Sequence, residues 1–128
     1  MGKGRGSAVV VAAAVLCLLA AALHVEVAEA ATTYVVGGRS GWTFNLSGWP
    51  RGKKFKAGDL LVFNYQIGAH NVVAVDKAGY DGCRTTPRNA KVFTSGKDNI
   101  RLNKGLNNFI CTLPGHCASG MKIQINAS

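Results

Sequence analysis

Phe109 to Met121 reads FICTLPGHCASGM and sets three potential metal donors into one loop: the Cys111 thiol, the His116 imidazole and the Met121 thioether, at intervals of five residues. The flanks read as strands. Phe109 and Cys111 point the same way on the approach, and Met121-Lys122-Ile123-Gln124-Ile125-Asn126 alternates apolar and polar, with Met121, Ile123 and Ile125 facing inward. A chain built on this stretch has to close two strands over a soft donor set. Thiolate, thioether and imidazole favour copper over hard cations, and two histidines with a cysteine and a weak axial Met make up the blue-copper electron-transfer site. His70 is the second imidazole. His70-Asn71-Val72-Val73-Ala74-Val75 reads as a strand in which His70 shares a face with Val72 and Ala74.

The first thirty residues read as a secretory signal peptide. Lys3 and Arg5 form a basic start, Ala8 to Leu23 is almost wholly apolar, and Ala28-Glu29-Ala30 is a small-x-small cleavage site. The apolar run is also about long enough to span a membrane, but the small-x-small ending favours removal. One domain is then expected over 31–128, small enough for a cross-link or a metal to matter to its stability. The leader's two cations are balanced by Glu26 and Glu29, so the net charge of +9 belongs to the domain. Such a charge attracts anionic partners at long range. For a secreted chain, an acidic protein or acidic extracellular polysaccharide is the expected partner and nucleic acid is not.

Cys17 leaves with the leader, which leaves Cys83, Cys111 and Cys117. An odd cysteine in an oxidising compartment needs a reason. If Cys111 ligates a metal, the remaining pair is Cys83 with Cys117. Pro114 would restrict the loop before His116, while Gly115 and Gly120 permit backbone shapes closed to other residues. Asn71 is placed to hydrogen-bond across to the Cys111 loop and so tune the sulfur.

Elsewhere the chain alternates short strand patterns with turns. Ala31 to Val36, Leu60 to Tyr65, Lys91 to Thr94, Asn99 to Leu102 and Asn107 to Cys111 read as strands; Lys53 to Asp59 reads as a strand end, and Ser95 to Asp98 as a turn. Asp76 to Cys83 holds at most one helical turn. Trp42 and Trp49 read as core packing. Asn45-Leu46-Ser47 and Asn126-Ala127-Ser128 are N-glycosylation acceptors, Asn45 the more credible. Seven or eight short strands with almost no helix indicate an all-β sandwich or barrel.

Other chemistries compete less well. A Cys/His zinc site lacks the closely spaced cysteine pairs usual for zinc, and a Cys111 hydrolase lacks a carboxylate orienter and an oxyanion hole. A purely structural reading leaves the co-occurrence of four donors unexplained.

Taken together, His70-Asn71-Val72-Val73, Tyr80-Asp81-Gly82-Cys83 and Cys111-x4-His116-Cys117-x3-Met121 resemble the phytocyanins, the plant cupredoxins, over essentially all of 31–128. The resemblance implies a Greek-key β-sandwich holding one type 1 copper ion, with His70, Cys111, His116 and Met121 as ligands and Cys83–Cys117 as the disulfide. Met121 stands where some members carry Gln. The basic charge and the stop after the last strand are similar to the plantacyanin, or basic blue protein, subgroup, implying a monomeric, extracellular electron carrier that is not an enzyme. The alternative is an extracellular signalling or cell-wall-binding protein in which copper is mainly structural.

Overall fold

The computed structural model describes residues 30–128. Apart from Ala30, the expected leader and Cys17 lie outside the described residues. Residues Ala31–Ser128 form one compact unit.

Seven strands are present among the described residues: β1 (Thr33–Val35), β2 (Leu60–Asn64), β3 (Val72–Val75), β4 (Val92–Phe93), β5 (Lys97–Arg101), β6 (Gly105–Ile110) and β7 (Lys122–Ala127). They form two sheets, ordered β1-β2-β5 and β4-β3-β6-β7. The chain crosses between sheets after β2, β4 and β5, and the sheets stay separate, so the molecule is a sandwich and not a closed barrel. β1 runs parallel to β2; every other strand pair is antiparallel.

Period-two alternation places the core. Leu61 and Phe63 of β2 and Ile123 and Ile125 of β7 are buried, as are Phe109, Cys111 and Met121, and all belong to one cluster between the sheets. β3 is buried on both faces. Val72 and Ala74 face that cluster, while Val73 and Val75 pack with Ile110, Cys117, Tyr80, Cys83 and Ala90 on the outer side. The uninterrupted Val-Val-Ala-Val run reflects this double burial. Trp42 is buried and Trp49 packs at the edge of the core, as the sequence suggests.

Three elements differ from the sequence reading. β3 begins at Val72, and His70 precedes it in an isolated bridge with Ile67. The basic segment before β2 contributes only a bridge, Phe55 with Ala127. β5 starts at Lys97, inside the expected turn, because Asp98 is buried there and its carboxylate accepts from the Tyr65 hydroxyl and the Ser95 hydroxyl.

Among the described residues the one α-helix, α1 (Lys77–Gly82), is six residues long and is capped by Asp76; Gly38–Ser40 forms a 3-10 turn. The Asp76 carboxylate accepts from the Thr86 hydroxyl at 2.5 Å and from the Gly79 N–H at 2.8 Å. Those two bonds, Thr86 first, hold its pKa below the usual value. The folded value lies below the unfolded one, so the cap stabilises above about pH 4 and is lost as pH falls through the folded value. An NMR titration should therefore move the Gly79 amide with a midpoint below that of an ordinary Asp, and Asp76→Asn should abolish the transition.

Candidate metal centre

The loop between β6 and β7 is wound tightly by its own backbone. The Cys111 N–H donates to the Met121 carbonyl and the Met121 N–H to the His116 carbonyl, each at 3.1 Å; Gly120 N–H donates to Cys117 at 2.9 Å. Cys111 and Met121 are both fully buried. Gly115 and Gly120 take left-handed φ values of 79° and 84°. At Gly120 a side chain has no room, since a Cβ would lie 2.9 Å from the Asn45 Cα. That contact belongs to a second clamp, in which Asn45 N–H donates to Ser119 O at 3.1 Å and Leu46 N–H to Gly120 O at 2.8 Å.

His70 arrives from the other side of the sequence and meets this loop. Its Nδ1 lies 3.0 Å from Nδ1 of His116, and His116 Nδ1 lies 3.5 Å from Cys111 Sγ. The donor atoms of His70, Cys111 and His116 all fall within 4.8 Å of one another. Burial, and then the neighbouring His116, push the His70 pKa down, which favours the neutral imidazole a metal needs. Two imidazole nitrogens and a thiol converging this closely fit a single soft or borderline cation. Cys83 and Cys117 are joined in a disulfide, leaving Cys111 as the free thiol among the described residues.

Neighbouring residues hold the donors in place. Asn71 Nδ2 donates to Thr112 Oγ1 and its Oδ1 accepts from the Thr112 N–H, both at 2.8 Å, tying the residue after His70 to the residue after Cys111. The Asn71 carbonyl accepts from the Trp42 indole at 2.8 Å. The disulfide fixes the residue after His116.

Two aromatic neighbours went unread in the sequence. Phe44, 40% exposed, stands edge-on to both imidazoles, with ring centroids 4.9 Å from His116 and 5.6 Å from His70. It lies in an irregular Gly-rich segment, where no periodicity marks a facing. Tyr65 packs 6.3 Å from His70. Burial, reinforced by Asp98, raises its pKa to about 12, so it stays a donor to that carboxylate.

Comparison with known proteins agrees with this arrangement. A family model described as a plastocyanin-like domain matches residues 42–121. The chain is 53% identical over 129 residues to the basic blue protein of Arabidopsis thaliana, covering 99% of each. The solved cucumber basic protein, a blue copper protein, aligns with a TM-score of 0.73 and 58% identity over 76% of this chain and 100% of that one. Spinach plantacyanin aligns at 0.64 with 57% identity, over 69% and 94%. The chain therefore belongs to the phytocyanin family of plastocyanin-like blue copper proteins, in the basic blue protein or plantacyanin subgroup.

Proposed function

We propose that this protein is a secreted type 1 copper protein that carries single electrons and transforms no substrate. The observation that carries the reading is the convergence of His70, Cys111 and His116, which lie 41 and 46 residues apart along the chain in two of their pairings. These three side chains would hold the metal, and Met121, buried with Cys111 and bonded to it through the backbone, would offer a thioether as the fourth donor. Copper bound there supplies a one-electron couple between its two oxidation states. The chain's part is to keep the donors still. Asn71, Trp42 and the disulfide brace three of the four ligand positions, so little rearrangement accompanies a change of charge.

His116, half-buried beneath Phe44, is the edge where electrons enter and leave. Leu113, Pro114 and Gly115 with Phe44 form an uncharged docking patch around it. The +9 charge steers an acidic partner toward the molecule, and a transient redox contact needs only a small interface. Residues 1–30 act as the cleaved leader, and the Cys83–Cys117 disulfide suits the oxidising extracellular space that this routing implies.

Metal analysis with a visible absorption spectrum tests the reading. Secreted protein is expected to hold one copper and, when oxidised, an intense thiolate-to-metal charge-transfer band. Cys111→Ser should abolish that band while the fold survives. Stoichiometric zinc, or a native protein without the band, would end the proposal. The same surface charge favours a second reading, binding to acidic wall polysaccharide with copper as a structural element. A biological response that persists with a redox-inert metal in the site selects it.

A further inference from the structure

We propose that Asn45 carries an N-linked glycan whose position beside the donor end restricts which redox partners reach His116. The inference rests on the secretory routing above, but the copper reading stands or falls separately.

The acceptor sequence Asn45-Leu46-Ser47 sits on a turn that presents it. Asn45 is exposed with a φ of 59°, a left-handed conformation that Asn tolerates better than most residues. Leu46 is buried and anchors the turn, and Ser47 is exposed. The backbone of Asn45 and Leu46 is bonded to Ser119 and Gly120, so the turn is fixed against the metal loop while the Asn45 carboxamide remains outside. The other acceptor differs. Asn126 lies within regular strand β7, Ala127 after it is buried, and the backbone of Ser128 is bonded to Phe55 and Ala57.

The transfer itself is balanced with a lipid-diphosphate-linked oligosaccharide as donor. The Asn45 Nδ2 forms a bond to the sugar's anomeric carbon, the anomeric carbon–oxygen bond to the diphosphate breaks, and the lipid diphosphate leaves with that electron pair. A proton is lost from Nδ2 to the transferase.

Position gives the glycan its effect. Successive Cα atoms are about 3.8 Å apart, so the sugar chain starts one residue from Phe44, the side chain that covers both imidazoles. A bulky, neutral, hydrated chain there leaves the steering charge intact but occupies the space a protein partner needs. Small reagents pass beneath it.

The experiment uses copper-loaded protein secreted from plant cells, as native chain and as Ser47→Ala, which removes the acceptor without altering the strained Asn45. Mass spectrometry should find one glycan, on Asn45, in the native chain only. Reduction is then timed with hexacyanoferrate(II) and with reduced cytochrome b5, a small acidic haem protein. Ser47→Ala should react about tenfold faster with the cytochrome, within the decades over which association rates of related interfaces vary, and at an unchanged rate with hexacyanoferrate(II). Trimming the native glycan to its first sugar should reproduce the gain without any substitution. A native chain that keeps its copper band but bears no glycan on Asn45 overturns the proposal. Equal cytochrome rates overturn the restriction, as does a parallel change with hexacyanoferrate(II), which would locate the effect in the metal site itself.

Discussion

Replacing Cys83 and Cys117 together by alanine is expected to lower the unfolding free energy of the metal-free protein by about 3–4 kcal/mol, the chain-entropy value for a closed loop of this length. The bond spans 34 residues and encloses β4, β5 and β6, so its loss frees more than a third of the domain in the unfolded state. Both residues must be changed at once. A single substitution leaves an unpaired thiol beside the metal loop, free to compete for Cys111. Alanine is the better replacement because Cys117 is buried and a serine hydroxyl there would lack a partner. Denaturant unfolding should show a lower midpoint and a steeper slope, because the unlinked unfolded chain exposes more surface. A loss below about 1 kcal/mol would mean that native-state strain cancels the entropic gain. The disulfide also holds Cys117, next to His116, so the variant should surrender its metal faster to a competing chelator.

The loop was legible because its donors are rare residue types at fixed spacing, and β7 because six residues alternate without exception. Two kinds of feature were not. Asp98 reads as a turn residue, yet lies in β5 with its carboxylate buried; hydropathy cannot register a polar group whose partners, Tyr65 and Ser95, satisfy it inside. Phe44 is the opposite case. An aromatic in an irregular segment carries no facing signal, and only the tertiary approach of two loops sets its ring against both histidines. The start of β3 differs for a similar reason: His70 continues the alternation, but the turn that delivers it delays ladder pairing until Val72.

Trp42→Ala is expected to cost about 3–5 kcal/mol, the range for emptying a buried aromatic site. The indole is 1% exposed and packs edge-on against Phe63 with ring centroids 5.0 Å apart. It reaches that depth because Gly41 precedes it; a Cβ on Gly41 would lie 2.5 Å from the Asn64 carbonyl, and the Trp42 N–H donates to that same carbonyl at 2.9 Å. Bulk and hydrogen bond separate in a second variant. Trp42→Phe keeps most of the packing but leaves the Asn71 carbonyl without its donor, at a cost of about 1–2 kcal/mol. That smaller loss should fall on the site. Asn71 joins the His70 side to Thr112 beside Cys111, so releasing its carbonyl lets the two ligand segments move against each other. Metal-free stability should therefore order wild type, Phe, then Ala, whereas the linewidth and energy of the charge-transfer band should already shift in Trp42→Phe. A Phe variant destabilised as expected but spectroscopically unchanged would show that Asn71 holds the ligands without help from the indole.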